Sequence, residues 1–198
     1  MRTAARNITC ANCGTVFEAN VKISSSSRNF GLDGKPDNPG FLPLIYDCPK
    51  CGYAGYKIEG EKPVIPDNFV VDRSNPYDAY ERALVLATSN GVKNHLLMEY
   101  AWRLEFDGKT EEARKVRERA VAQMEQSLSK DPVIELAFIF IDFLRQLGRF
   151  EEAEEMLNMI SPVVTADAEK KPRFYKLFLF LQELVKKQDA APHMISEV

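Results

Sequence analysis

Gly108-Lys109-Thr110-Glu111-Glu112-Ala113 returns 40 positions later as Gly148-Arg149-Phe150-Glu151-Glu152-Ala153. Glycine suits the left-handed residue that ends a helix, and glutamates suit the positive first turn of the next one. The agreement extends outward on both sides. At the same offset Leu97 meets Ala137, Met98 meets Phe138, Ala101 meets Ile141 and Leu104 meets Leu144. Beyond the turn, Val116 meets Met156 and Ala120 meets Ile160. Each unit therefore reads helix, tight turn, helix, with its apolar side chains on one stripe.

Further helices flank these units. Asn75-Pro76 supplies a cap and a first-turn proline for a helix over 76–89, ended by Gly91. The repeat helices follow over 93–106, from Thr110, from Pro132 and over 150–160, the last ended by Pro162. The helix from Pro132 is apolar nearly all round and should be buried. A sixth helix starts near Pro172, and the helices at Pro76 and Pro172 would cap the array. The pattern resembles the tetratricopeptide repeat, although its period of 40 exceeds that family's 34. The plainer reading is an irregular helical bundle in which the shared hexapeptide is simply a good turn.

The first 60 residues differ in kind. They carry all four cysteines and seven of the ten glycines, with a turn-rich run from Ser24 to Pro43. Val16-Phe17, Val21-Lys22-Ile23 and Leu44-Ile45-Tyr46 are short strand candidates. The cysteines form two pairs, Cys10-Ala-Asn-Cys13 and Cys48-Pro-Lys-Cys51, separated by 34 residues. Two intervening residues let one turn aim both sulfurs at a single ion, and glycine after each pair (Gly14, Gly52) permits a left-handed backbone there. Disulfides are the alternative, disfavoured where thiols are kept reduced. The expected architecture is thus mainly α: a four-cysteine β/loop module of zinc-ribbon or rubredoxin-like form over 1–60, a connector over 61–74, tetratricopeptide-like helices over 75–188 and a flexible tail over 189–198. Cys10, Cys13, Cys48 and Cys51 are the expected metal ligands, for zinc first and iron as the alternative, since four thiolates suit both.

Composition narrows the function. The 198 residues carry a net charge of −3. The first 72 hold eight Lys/Arg against eight Asp/Glu, which disfavours a phosphate-binding surface on the cysteine module. No apolar run is long enough to span a bilayer, and no apolar stretch follows the charged residues of Met1–Asn7, so a cytoplasmic protein is expected.

Ile8-Thr9-Cys10-Ala11-Asn12-Cys13-Gly14, Asn38-Pro39 and Tyr46-Asp47-Cys48-Pro49-Lys50-Cys51-Gly52-Tyr53-Ala54-Gly55-Tyr56, with helical repeats behind them, resemble the bacterial domain of unknown function 2225 family. Ala11 departs from the proline common in that family. The resemblance implies a bacterial, cytoplasmic setting and supplies no activity.

No nucleophile–base pair, phosphate loop or open metal site is readable, so no catalytic or cofactor-binding residues are assigned. His95 and His193 lie near no second ligand, Trp102 reads as packing, and Glu111–Arg119 reads as a solvated face. Phe174, Tyr175, Phe178 and Phe180 would pack on the helix from Pro132 or leave an oligomer surface. The expected function is a non-enzymatic interaction module with structural zinc and a groove for another protein. The alternatives are a nucleic-acid-binding ribbon and an iron electron carrier.

Overall fold

The structure is a computed structural model that describes every residue except Met1, Ser25, Arg28 and Asn68. Ser25 of the expected turn run therefore lies outside the described residues. Among the described residues, six α-helices make up about half the chain and two antiparallel sheets have two strands each. They fall into two compact units: Met1–Ser26 with Asn38–Lys109, and Ser27–Asp37 with Thr110–Val198.

In the first unit, β1 (Arg2–Thr9) and β2 (Val16–Ser24) form a hairpin that pairs Thr9 with Val16 at its closed end. The two short candidates Val16-Phe17 and Val21-Lys22-Ile23 are parts of the one strand β2, whereas β1 was not expected from the sequence. Ile8, Cys10, Cys48 and Ile58 form a small core against which Phe17, Val21 and Tyr53 pack. β3 (Tyr46–Asp47) pairs with β4 (Ala54–Gly55), and β4 packs on α1 (Asp78–Leu86). The Asn75 side chain accepts from the Tyr77 N–H at 2.9 Å, close to its expected capping role. The helix it precedes is shorter than expected, and Gly91 does not end it. Gly91 lies inside α2 (Asn90–Phe106), because Ala87 leaves the helix at ψ 123° and Ser89 caps the next one through Val92 N–H. Every residue of α2 from Leu96 to Trp102 is buried, and Tyr100 stacks on Tyr80 at 5.0 Å.

In the second unit, α4 (Ile134–Gln146) packs against α3 (Thr110–Leu128), α5 (Phe150–Ala166) and α6 (Pro172–Lys186). Its all-round apolar surface places Ile141, Phe143 and Leu144 out of solvent, and Phe138 meets Phe174 of α6 edge to face. Phe180 of the same aromatic set is instead taken up by the His193 ring, 5.7 Å away. Pro162 does not end α5, which continues to Ala166. A proline removes one backbone donor, and here the helix runs past that loss, with Thr165 Oγ1 donating to the Ser161 carbonyl.

The hexapeptide turns are equivalent in structure. Gly108 and Gly148 have φ of 73° and 77°; Lys109 N–H reaches the Leu104 carbonyl at 2.8 Å and Arg149 N–H reaches Leu144 at 2.9 Å. In both turns the glycine N–H adds a second hydrogen bond, Gly108 to Glu105 and Gly148 to Arg145, and the same pair of hydrogen bonds closes α6. Gln188 N–H meets Val185 and Asp189 N–H meets Leu184, each at 3.0 Å, with Gln188 at φ 52°. The 40-residue recurrence thus has a third turn that the sequence conceals, because Gln188 stands where the first two turns have glycine.

Two segments differ from the expected division of the chain. Residues 27–37, expected within the cysteine module, belong to the second unit. The expected flexible tail carries ordered contacts: Leu32 N–H donates to the His193 carbonyl, Ile195 N–H to Phe30, and Arg145 to the Ala191 carbonyl at 2.8 Å. The physical reason is a buried charge cluster. Asp33 meets Arg117 at 2.8 Å, and Asp142 meets Arg145 at 2.7 Å, all with side chains almost wholly out of solvent. Arg117 therefore corrects the solvated-face reading of Glu111–Arg119: it is buried, with its guanidinium 4.4 Å from the Phe143 ring centre.

Candidate metal centre

The two cysteine turns are built on one plan. Cys10 N–H donates to the Thr15 carbonyl and Gly14 N–H to Cys10; Cys48 N–H donates to Tyr53 and Gly52 N–H to Cys48, all between 2.8 and 3.0 Å. Gly14 and Gly52 have φ of 71° and 73°. Each turn needs a residue in the left-handed region four positions after its first cysteine, which is what glycine supplies.

The turns bring all four sulfurs to one place, within 4.8 Å of one another. The closest pairs cross between turns: Cys10 to Cys51 at 3.6 Å and Cys13 to Cys48 at 3.7 Å. Four sulfurs held about 2.3 Å from a common centre stand about 3.8 Å apart, so the set fits a tetrahedral ion. None of the four is in a disulfide. The cluster can hold a metal ion, and its donors are all sulfur.

The surroundings are uneven. Cys10 and Cys48 are buried, while Cys13 and Cys51 are partly exposed. Burial pushes the Cys10 thiol up to about 12 and raises Cys48 as well. The Thr15 hydroxyl, 3.2 Å from the Cys13 sulfur, holds that thiol down to about 6. A cation at the centre would replace the protons that burial retains at Cys10 and Cys48.

The sequence did not point to the groups that grip the second turn. Arg73 donates to the carbonyls of Cys48 (2.9 Å) and Pro49 (3.0 Å) and pairs with Asp47. Arg82 of α1, 3% exposed, pairs with Asp78 at 2.5 Å and Asp47 at 2.8 Å, and donates to the Gly52 carbonyl. The available signal was Asp78 and Arg82 four apart on a helix; nothing local joined them to the cysteines. Neither histidine joins the cluster: His95 is exposed, and His193 bonds Asp189 and Glu197. Trp102 is buried, as its packing role required.

No family model, curated protein or solved structure matches the chain. Among the described residues, no helix is long and apolar enough to cross a membrane.

Proposed function

We propose that this chain is a non-enzymatic interaction module in which Cys10, Cys13, Cys48 and Cys51 hold a structural zinc ion and the helices present a groove to another protein. The convergence of four sulfurs within 4.8 Å carries the metal half of this reading. A set of four thiolates closes the coordination shell, leaving no position for a reactive water and favouring a folding role. Zinc is preferred to iron because closed four-thiolate sites are commonly structural, and these sulfurs sit in a small hairpin core. In the same reading the chain is a cytoplasmic member of the bacterial family that its cysteine turns resemble, with tetratricopeptide-like helices.

The groove between α5 and α6 supports the interaction half. It has a volume of about 670 Å³, with Phe150, Leu157 and Val185 on its floor and three glutamates, Glu151, Glu154 and Glu183, against one lysine, Lys186, on its rim. Apolar floor and acidic rim together fit a partner segment bearing Lys or Arg beside an apolar anchor.

Elemental analysis of the purified chain tests the metal: one zinc per chain is expected, and stoichiometric iron with visible thiolate-to-iron absorption would replace this reading with electron transfer. Binding of a synthetic basic, apolar-anchored peptide tests the groove. Glu151→Lys with Glu154→Lys should weaken it at least tenfold; unchanged affinity removes the groove from the proposal.

A further inference from the structure

We propose that Arg82 and Arg73 are positioning residues of the four-thiolate site, and that Arg82 makes the order of helix α1 depend on metal occupancy. The inference rests on the metal reading above and concerns this chain's own side chains.

The second cysteine turn has little of its own to hold it. Its flanking strands, β3 and β4, are two residues each and, among the described residues, pair only with one another. A ladder so short is not stable in water by itself. Two arginines make up the deficit by taking its outward carbonyls. Arg73 covers those of Cys48 and Pro49, and Arg82 covers that of Gly52. Asp47, next to Cys48, is held by both guanidiniums, at 3.2 and 2.8 Å. The main chain that aims Cys48 and Cys51 is thus fixed from outside by hydrogen bonds to groups that never touch the sulfurs. Outer partners of this kind orient ligands and tune affinity.

The same contacts run in the other direction. α1 has nine residues, and the Tyr77 side chain at its N-cap makes no capping bond. A helix so short is marginal alone and depends on what it packs against. Its buried Arg82 is satisfied jointly by Asp78 on its own helix and by Asp47 and Gly52 of the turn. When the turn loosens, that guanidinium loses two of three partners while still buried, a costly state. The chain escapes it by releasing Arg82 to water, which unpacks α1 from β4. The connector moves with it. Val71 lies against Gly52, so close that a methyl there would meet Val71 Cγ2 at 2.4 Å, and Asp72 N–H donates to Asp78 at 3.1 Å. The metal, the turn, residues 71–73 and α1 therefore order together.

Hydrogen exchange of the full chain with and without zinc tests this, together with zinc affinity from chelator competition. In the wild type, zinc should slow exchange of the α1 amides at least tenfold. Arg82→Met should weaken zinc binding by about 10–100-fold. At saturating zinc it should also leave α1 exchange unresponsive to the metal. Arg82→Lys should not restore the response, because an ammonium cannot span Asp47, Asp78 and Gly52 as a planar fork does. Asp47→Asn keeps the Arg82–Asp78 pair and guards against a merely unfolded Arg82 variant; it too should weaken zinc binding and reduce the α1 response. The Co(II) form adds a separate readout, since a displaced Cys48 or Cys51 changes its visible bands while a distant packing defect does not. A wild type that takes up zinc with no change at α1 overturns the coupling alone. Arg82→Met and Asp47→Asn that bind zinc like the wild type and keep the α1 response also overturn it. A wild type that takes up no zinc overturns the metal reading and the coupling together.

Discussion

The Tyr56 hydroxyl donates a 2.6 Å hydrogen bond to the Glu99 carboxyl, and Glu99 is 6% exposed. Lys22, a cation that acts on it, donates instead to the Phe41 and Leu42 carbonyls. Burial therefore dominates and pushes Glu99 up to about 7 from its ordinary 4.5. The folded chain holds this proton more tightly than the unfolded chain does. The stabilisation is fully present below about pH 4.5 and is lost as pH rises through about 7, with little further change above. The span corresponds to a contribution on the order of 3 kcal/mol. Denaturant unfolding from pH 4.5 to 8 should show Glu99→Gln lacking a downward slope that the wild type has. Parallel curves for the two proteins would refute the assignment.

The two turn glycines should not be equally replaceable. Both have positive φ, but a Cβ on Gly14 meets nothing within 4 Å, whereas one on Gly52 meets Val71 at 2.4 Å and Arg82 at 3.1 Å. Gly14→Ala should cost about 1 kcal/mol, from the backbone alone. Gly52→Ala adds overpacking and should cost about 3 kcal/mol. Thermal unfolding of the zinc-supplied variants compares them, and equal losses would mean that residues 71–73 do not pack on the second turn.

The third copy of the helix-ending turn offers a gain. Gln188 occupies the left-handed position that glycine fills at 108 and 148. Gln188→Gly should raise stability by about 0.5–1 kcal/mol, and Gly148→Ala should lower it by about 1 kcal/mol. Urea midpoints at unchanged slope measure both. A destabilised Gln188→Gly would contradict the turn at 188.

Asp33 and Arg117, 84 positions apart in sequence, meet at 2.8 Å with 3% and 5% of their side chains exposed. Asp33→Ala should cost about 3–5 kcal/mol, because it strips a carboxylate from a buried guanidinium. Asp33→Leu combined with Arg117→Met should lose much less than the sum of the single changes. Additive losses in that double-mutant cycle would show that the pair is not coupled.

Much of this molecule was legible where the signal is local. The C-x-x-C-G turns fold by hydrogen bonds inside six residues, so spacing alone brought Cys10, Cys13, Cys48 and Cys51 together on paper as in space. The turns at Gly108 and Gly148 were readable for the same reason. What escaped was long-range or compensated. Arg82 acts on residues 30 and 35 positions away, and no local pattern encodes that. Pro162 reads as a stop, yet packing of Leu157, Ile160 and Val164 carries α5 through it. Asp142 was a clue: a carboxylate in an otherwise apolar helix must find a buried partner, and Arg145 and Gln146 are there. The strand β1 had no clue of this sort, since only Ile8 of its residues is buried.

The placement of residues 27–37 bears on how the polypeptide matures as it is made. A ribosome releases Cys10 through Cys51 early, and both halves of the sulfur cluster are then at hand. Residues 27–37 between them, however, belong with partners that emerge only after residue 110, among them Arg117 and the His193 to Ile195 stretch. An early-closed cluster would hold those eleven residues as a waiting loop until residues 193–195 have emerged. It follows that neither half can be cut out as one unbroken stretch of chain, and that removing residues 189–198 would be felt far upstream, between the two pairs of cysteines.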